Sequence, residues 1–435
     1  MLFWVAVLVV PLAGVGGLLP GAAGLPLAIV ALFALVAIAD AIGSRAALAG
    51  IRVRGPDIVR LWKGRETGID LTLDVPPAAN NPPLRVALQM PQSLQSPQEE
   101  MLVALPDNQP AARFRWPCTA TRRGNFKLAR CFLERASKIG FWNLRRELSL
   151  NVEVRVYPDF LAERKRTSSL FLNRGSFGIH ARRHVGKGRE FEQLREYAHG
   201  DSYEDIHWKA AAKRNQPVTK IFQVERTQEV YVAVDVSRLT GRISIDGTTM
   251  LERAVTAAVL LGRAAELQGD LFGLIVFSDR IDTFRRASGG RAARESALDA
   301  LYAQEPREVT PDFRELFTFL RLRLRRRALV VILTCLDDPA LAENFAKNVP
   351  LVCRQHLLLV NVLAPPVVRP LFTNEAVETS DDLYSELGGH MLWQNVRDLK
   401  TSLRRFGVML HQLDHEKLCA QLVEQYMQVK QRQAL

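Results

Sequence analysis

The stretch EVYVAVDVS, Glu229–Ser237, is a short apolar run that ends in a carboxylate and a hydroxyl. Its β-branched valines favour a buried strand. The following MLERAVTAAVLLGRAAELQ, at 250–268, has apolar residues at helical spacing, and DLFGLIVFSD, at 270–279, again has the composition of a strand. The order strand, helix, strand predicts two parallel strands joined by a crossover helix.

The same alternation continues to the carboxyl end and predicts an α/β domain over 229–435 with a mostly parallel sheet. Ligands of such sheets bind beyond the carboxyl ends of the strands. The remaining predicted elements are an edge strand at 281–286, helices at 291–304 and 311–327, strands at 328–338, 356–363 and 408–413, and helices at 387–405 and 415–431.

The end of the first strand carries a candidate ion site. The Asp-x-Ser sequence resembles the von Willebrand factor A fold, where an Asp-x-Ser-x-Ser loop, a threonine and a later aspartate hold a divalent ion. The resemblance implies Asp235, Ser237 and Thr310 as oxygen ligands of Mg²⁺ or Mn²⁺. Leu239 stands in place of the second serine and Cys335 in place of the later aspartate, although two aspartates follow closely. The site either binds an ion weakly, which would suit an ion-dependent adhesion-type binding module, or is degenerate, with Asp235 only orienting its loop.

The densest polar stretch, GREFEQLREYAHGDSYEDIHWKAAAKRNQP at 188–217, precedes the first strand. Apolar residues at roughly helical spacing in FEQLREYA predict a helix that Gly200 ends. Asp201 or Ser202 is placed to cap a second helix over DIHWKAAAKR, in which the indole of Trp208 is expected to pack against neighbours.

Two interpretations of this stretch stay open. A hydrolase-like enzyme would use His207 as a base, with Asp201 and Asp205 in the same centre. The stretch has no GxSxG sequence and no nearby cysteine to act as a nucleophile. The alternative is a buried polar network, exposed in part for docking.

The order G-x-E-F-x-x-L-R-E-Y-x-x-G-D-x-x-x-x-I-H-W-K begins at Gly188 and resembles the signature of the bacterial "domain of unknown function 58" family. The resemblance marks as interaction positions Glu190, Phe191, Arg195, Tyr197, Gly200, Asp201, His207, Trp208 and Lys209.

The resemblance also implies an architecture and a partner. The family has an amino-terminal membrane hairpin, a β region and a von Willebrand factor A-like domain. The resemblance further implies that the protein acts together with a MoxR-type AAA+ ATPase in the assembly or maturation of client proteins, or in envelope function. No reaction is established for the family, so we expect an adaptor rather than an enzyme.

Residues 45–160 alternate apolar and polar side chains between turn sequences such as PPAANNPP, which predicts a small β-sandwich-like domain. Residues 161–228 then form the signature segment and linker helices. The sequence therefore predicts a multidomain protein with the α/β domain at its carboxyl end.

Residues 1–44 contain two uncharged apolar runs, 2–19 and 25–39, separated by a short neutral loop. Each run approaches the ~20 residues needed to cross a bilayer, which predicts a two-span transmembrane hairpin. A secretory signal peptide would instead have a basic start and one apolar run. Arginines at 45, 52, 54 and 60 follow the second run. By the positive-inside rule, both termini and the soluble domains face the cytoplasm at the bacterial inner membrane.

Composition narrows the partners further. The formal net charge of +12 suits an anionic membrane surface or an acidic protein. The five cysteines are odd in number and form no CxxC pair, which argues against a disulfide framework or a zinc site. No nucleic-acid recognition module and no P-loop is found in the sequence, so neither nucleic acid nor a bound nucleotide is expected.

Overall fold

The computed structural model describes residues 11, 24–76, 83–104, 111–159, 185–198, 202–214, 216–223, 228–243, 247–363, 368–371, 379–413 and 417–431. It divides into two compact units, Met1–Tyr157 and Pro158–Leu435. The finer division at 44, 160 and 228 stays a prediction.

The first unit contains two β-sheets with a shared apolar core. One sheet has the strand order β1-β3-β7-β5 and the other β2-β9-β8-β4-β6. Alternate side chains of the long strands point into the core, as period-two patterning predicts. The strands are β1 Arg52–Arg54, β2 Ile58–Trp62, β3 Glu66–Asp74, β4 Leu84–Leu88, β5 Leu94–Gln95, β6 Met101–Val103, β7 Ala111–Ala120, β8 Gly124–Ala136 and β9 Asn143–Tyr157.

Helix α1, Gly24–Ser44, is held at its carboxyl end by the turn between β8 and β9. Asp40 is buried and accepts hydrogen bonds from the hydroxyl of Ser137 at 2.5 Å and the backbone N–H of Ile139 at 3.2 Å. The indole of Trp142 donates to the carbonyl of Ala37 at 2.8 Å. The last turns of the helix are therefore fixed on the β-sheets.

Within the described ranges, no helix has both the length and the apolarity required to cross a membrane. The predicted two-span hairpin is therefore not confirmed. Apart from residue 11, its first run lies outside the described residues. Asp40, directly after its second run, accepts hydrogen bonds from the β8–β9 turn.

The first strands described in the second unit form a two-stranded antiparallel ribbon, β10 Val185–Glu196 and β11 Val218–Gln223. Between the strands lie a short 3-10 helix, Tyr203–Asp205, and helix α2, Trp208–Arg214. The helix predicted over FEQLREYA is wrong, because these residues pair with β11 instead. The second predicted helix is present, although it begins only at Trp208.

The carboxyl-terminal sheet has the order β14-β13-β12-β15-β16-β17. Every neighbouring pair is parallel except β13 with β14, the antiparallel edge. This confirms the α/β domain with a mostly parallel sheet. The strands are β12 Glu229–Asp235, β13 Leu271–Phe277, β14 Ile281–Ser288, β15 Leu329–Thr334, β16 Leu357–Leu363 and β17 Met409–Leu413.

The connecting helices begin at well-defined caps. The side chain of Thr249 accepts from the backbone N–H of Glu252, and Asp312 and Asp338 cap two later helices in the same way. Two short helices after β15 were not predicted from the sequence. The helices are α3 Met250–Leu267, α4 Gly290–Leu301, α5 Phe313–Arg323, α6 Pro339–Asn348, α7 Pro350–Cys353, α8 Ser380–Arg404 and α9 Leu418–Gln431.

Candidate functional site

Loops from distant parts of the chain meet at the carboxyl edge of the six-stranded sheet. The backbone N–H of Arg238 donates to the carbonyl of Val309 at 3.0 Å, and that of Arg307 donates to Val236 at 2.7 Å. The loop 307–312 therefore lies directly against the loop that follows β12. This is the edge at which α/β sheets bind ligands.

Asp235 ends the central strand β12 and is fully buried. Strands β12 and β15 pair in register, with Val234 opposite Leu333, which places the side chain of Thr334 beside Asp235. The Thr334 hydroxyl donates to Asp235 Oδ2 at 2.6 Å, and the backbone N–H of Ser237 donates to Oδ1 at 2.8 Å. Burial raises the pKa of the Asp235 carboxyl, although these hydrogen bonds act in the opposite direction.

A guanidinium supplies positive charge at the same edge. Arg242 donates from Nη1 to Oδ2 of Asp337, and the two form an ion pair. The side chain of Asp337 is only 2% exposed, while that of Arg242 is 38% exposed. The other carboxylate oxygen of Asp337 is buried without a hydrogen-bond partner in the described part of the chain. Arg242 is therefore the cation that faces this buried carboxylate.

These contacts bear on the predicted ion ligands. Asp235 and Ser237 share one tight turn, and the loop carrying Thr310 lies next to it, but the Thr310 side chain is exposed. Leu239 and Cys335 are buried and bring no oxygen ligand. Searched over the described residues, the chain holds no group of three or more His, Cys, Asp or Glu side chains suited to a metal. Binding of Mg²⁺ or Mn²⁺ stays a prediction.

A second polar cluster lies after β13. The hydroxyl of Ser278 is 2.9 Å from Oδ1 of Asp279 and 3.0 Å from Oδ2 of Asp282, so its single proton can serve either carboxylate. The guanidinium of Arg307 is 2.6 Å from Asp282, and that of Arg280 is 3.5 Å away. The edge thus alternates carboxylates with arginines, an arrangement that can contact charged groups of a partner.

In the signature segment, His207 serves as the cap of helix α2. Its Nδ1 accepts a hydrogen bond from the backbone N–H of Ala210 at 3.0 Å, and its carbonyl accepts from Ala211 at 2.9 Å. Its own backbone N–H donates to Val218 in β11 at 2.8 Å. Because Nδ1 accepts this hydrogen bond, Nε2 is the ring nitrogen that carries the proton in the neutral imidazole.

The aromatic residues of the signature segment are exposed. Trp208 is 68% exposed and Tyr203 is 74% exposed, whereas Ile206 between them is buried. The expectation that the Trp208 indole packs against neighbours is therefore wrong. It lies in the first turn of the seven-residue helix α2. The rings of Tyr197 and Tyr203 lie 5.8 Å apart.

The other signature positions are distributed along the ribbon. Glu190 and Phe191 pair through their backbones with β11, and Arg195 is opposite Thr219. Lys209 is exposed in α2. Gly200, Asp201 and the side chain of Asp205 lie outside the described residues, so the proposed hydrolase centre stays a prediction.

The model of the family described as "Protein of unknown function DUF58" matches residues 193–367. We call these residues the DUF58 domain after the family model that they match. The match begins in β10 and extends past β16, so it includes α2, the loop after β12, Arg242 and Asp337. It covers less than half of the chain, and no curated protein matches the sequence.

Several solved structures resemble part of the chain. BatB from Bacteroides thetaiotaomicron is 14% identical with a TM-score of 0.29, covering 48% of this chain and 98% of its own. An aerotolerance-related membrane protein from Bacteroides fragilis is also 14% identical with a TM-score of 0.28, covering 46% and 98%. The SpRpn10 VWA domain is 12% identical with a TM-score of 0.29, covering 46% and 95%.

Sequence reasoning about the DUF58 domain missed Arg242. The residue is 95 positions from Asp337, and its segment, GRISIDG, carries no motif. A usable signal was present in the aspartate itself: a carboxylate placed just beyond a fully apolar strand requires a positive partner or hydrogen-bond donors. That rule predicts that the carboxylate has a partner, but it does not identify which of the 58 lysines and arginines is the partner.

Proposed function

We propose that this protein is a membrane-anchored adaptor that binds a protein partner through its DUF58 domain and catalyses no reaction itself. The observation that carries the proposal is the exposure of Tyr203 and Trp208 on a segment whose histidine caps a helix. Aromatic side chains are enriched at the centres of protein interfaces, because they bury a large apolar area at small entropic cost. Two exposed aromatic side chains that lie close together in sequence, each on a short helix, are therefore suited to binding a protein partner.

The carboxyl edge of the sheet supports the same function. We infer a von Willebrand factor A-like domain in which the Arg242 guanidinium takes the place of the bound cation. A partner carboxylate would then meet a positive charge that the chain itself supplies, without an added metal. Such an edge binds through permanent charges.

The family resemblance suggests the partner, a MoxR-type AAA+ ATPase, and leaves the client protein open. The chain has no P-loop sequence of its own, so ATP hydrolysis would belong to that partner. The adaptor would hold the ATPase near clients at the cytoplasmic face of the bacterial inner membrane, consistent with the basic residues that follow the second apolar run.

Capture of the ATPase from solubilised membranes tests the docking surface. We expect full-length protein to retain the ATPase, and Trp208→Ala or Tyr203→Ala to reduce the retained amount about tenfold, the loss of ~1.4 kcal/mol typical of an interface aromatic. Tyr384→Ala is the matched control, because Tyr384 is 71% exposed on α8 and lies outside the signature segment in sequence. Equal retention by all variants would refute docking through the aromatic pair.

Orientation is tested separately by protease treatment of intact spheroplasts. If the soluble domains face the cytoplasm, they are protected until the membrane is permeabilised. Digestion of the carboxyl-terminal portion from outside would contradict the proposed location, whatever the result of the capture experiment.

A further inference from the structure

The turn between β8 and β9, residues 137–142, packs along helix α1 over several helical turns. Near the end of the helix, the backbone N–H of Lys138 donates to the hydroxyl of Ser44 at 3.2 Å. Further back along the helix, the ring of Phe141 meets that of Phe33 edge-on, with the centroids 5.0 Å apart. These two helix positions are eleven residues apart, so the turn follows α1 for about 16 Å.

Hydrogen bonds within the turn fix its shape. The backbone N–H of Ser137 donates to the carbonyl of Trp142 at 2.7 Å, and the N–H of Gly140 donates to the carbonyl of Ser137 at 3.1 Å. The hydroxyl of Ser137 also accepts from the backbone N–H of Trp142 at 3.0 Å. Gly140 has a φ of 92°, a conformation that costs glycine little. A turn closed in this way presents its side chains without further ordering when it binds a partner.

The position of the turn on α1 places it beside the apolar run of the helix. Residues 25–39 carry no charge, and Asp40 is the first charged residue after them. If α1 lies in the bilayer, the edge of the hydrocarbon falls near Asp40, because the uncharged residues occupy the hydrocarbon. Phe33 lies seven residues earlier, about 10 Å along the helix axis. The contact between Phe141 and Phe33 therefore brings the turn beyond this edge, on the hydrocarbon side.

The outward side chains of the turn suit lipid better than water. Ile139 is 57% exposed and Trp142 is 48% exposed. The indole of Trp142 is bonded to α1 at Ala37, next to the exposed Ile38, so the apolar surface continues from the turn onto the helix. The turn contains no acidic residue, and its one charged side chain, Lys138, is exposed. Tryptophan is enriched at the level of the lipid headgroups, and lysine extends its ammonium group to them.

We propose that the β8–β9 turn inserts into the lipid bilayer beside α1, with Ile139 in the hydrocarbon and Trp142 at its boundary with the headgroups. The proposal rests on the membrane anchorage proposed above and makes the β-sheet unit itself a membrane-contacting body. It also explains the bonds to Asp40. A carboxylate at the edge of the hydrocarbon is costly unless its oxygens are satisfied, and Asp40 accepts from the Ser137 hydroxyl and the Ile139 N–H. The inserted turn thus supplies the donors that Asp40 requires at this depth.

Spin-label accessibility in the full-length protein, reconstituted into vesicles of phosphatidylglycerol and phosphatidylcholine, tests the insertion. The background is Cys353→Ser, because the other four native cysteines are buried. A nitroxide is attached at Ile139→Cys, and its collisions with lipid-soluble oxygen and with the water-soluble complex nickel ethylenediaminediacetate are measured. We expect the ratio of oxygen to nickel collisions to be at least about tenfold higher than at a position in water, because hydrocarbon excludes the polar complex.

Two further labelled positions provide the controls. Ile58→Cys is the matched position in water, because Ile58 is an exposed isoleucine of the same unit. It pairs with Glu153, ten residues along β9 from Asn143, which is about 30 Å from the turn. Ile38→Cys, on the exposed face of α1, reports the anchorage independently of the turn. All three labelled side chains are exposed, so the substitutions leave the apolar core intact.

Three results would overturn the proposal. If the label at position 38 lies in lipid while that at 139 meets the nickel complex as readily as the label at 58, the turn lies in water and the anchorage stands. If the label at 139 is closed to both oxygen and the nickel complex, protein covers the turn, and the apolar run 2–19 of this chain becomes the candidate occupant. Labels in water at both 38 and 139 would refute the anchorage together with the insertion.

Discussion

At the scale of single residues, Arg242 and Asp337 set the charge of the docking edge. A buried carboxylate needs a positive partner, and Asp337 is almost fully buried. A divalent cation or a guanidinium can meet this need. The guanidinium differs in being attached to the chain, so it does not depend on the concentration of a free ion.

Removing Arg242 should therefore convert the edge into a cation site. We expect Arg242→Ala to lose about 2–3 kcal/mol of stability, below the ~3–5 kcal/mol for a fully buried pair because Arg242 is partly in water. Mn²⁺ should raise the melting temperature of this variant and leave that of the wild type unchanged. Differential scanning fluorimetry with and without Mn²⁺ measures both effects.

The control for this experiment is the double variant Arg242→Ala/Asp337→Asn, which lacks the carboxylate and should not respond to Mn²⁺. A wild type that is itself stabilised by Mn²⁺, to the same extent as the single variant, would contradict the view that Arg242 replaces the cation. It would favour the ion-dependent interpretation of Asp235, Ser237 and Thr310.

The pKa of Asp235 gives a second prediction for a single residue. Burial raises this pKa in the folded chain. The folded state therefore binds the proton more tightly, and the associated stability is present below the ordinary Asp pKa of ~3.9 and is lost as pH rises through the raised value. The Asp235→Asn variant lacks this titration. Between pH 4 and pH 7 the free energy of unfolding of the wild type should therefore fall relative to that of the variant, by at most ~1.4 kcal/mol per pH unit.

Urea unfolding at several pH values measures this difference. Asn is a fair substitute, because its carbonyl can accept from Ser237 and its amide can face Thr334. A difference that is constant with pH would mean that the carboxyl keeps its ordinary pKa. The same urea series on Asp279→Asn, an exposed carboxyl of the same edge, controls for nonspecific charge effects.

At the scale of elements, local pattern and tertiary pairing conflict in the signature segment. The apolar residues of FEQLREYA fit helical spacing, and most of the remaining residues are good helix formers. The structure nevertheless pairs this segment with β11, from Leu194 opposite Lys220 to Glu196 opposite Val218. Pairing with a segment over twenty residues away outweighs propensities of a few tenths of a kcal/mol, and no local rule reveals it.

Helix α2 offers a prediction that separates capping from catalysis. His207→Ala removes the acceptor for the Ala210 N–H and should cost ~1 kcal/mol of local stability, seen as about fivefold faster amide exchange in the first turn. We expect His207→Ala to weaken ATPase capture as well, because Trp208 lies in the same first turn. His207→Asn keeps a side-chain acceptor at a favoured cap position, so both slow amide exchange and ATPase capture should return to the wild-type level. If capture is lost equally in both variants while exchange is restored by Asn, the imidazole itself is needed, and a chemical role returns.

Other elements were easier to predict, for physical reasons. The strands β12, β13, β15 and β16 are continuous apolar runs, because both faces of a parallel sheet are covered by helices. Gly407, three residues after α8, has a positive φ of 73°, a conformation that glycine adopts at little cost after a helix. The short helices α6 and α7 escaped prediction since four to ten residues give little periodicity.

At the scale of the whole molecule, two apolar cores lie in two compact units. In the first, Leu71 is fully buried between the β-sheets. In the second, the ring of Phe345 meets those of Phe313 at 4.9 Å and Phe317 at 5.2 Å, both edge-on. The length of 435 residues predicts two or three domains, because one core rarely extends beyond ~250–300 residues. The place where the chain passes from one core to the next depends on which strands pair.

Separate cores predict separate unfolding transitions. Phe345→Ala should destabilise the second unit by about 3–5 kcal/mol, and Leu71→Ala should destabilise the first by about 2–5 kcal/mol, each from lost burial plus a cavity. Calorimetry of the full-length protein should show each substitution lowering only one melting transition. Because Trp116 is buried in the first unit alongside Leu71, near-ultraviolet circular dichroism can assign the transitions. If either substitution shifts both transitions by the same amount, the two cores unfold as one cooperative body, and a partner bound to the DUF58 domain would then stabilise the first unit as well.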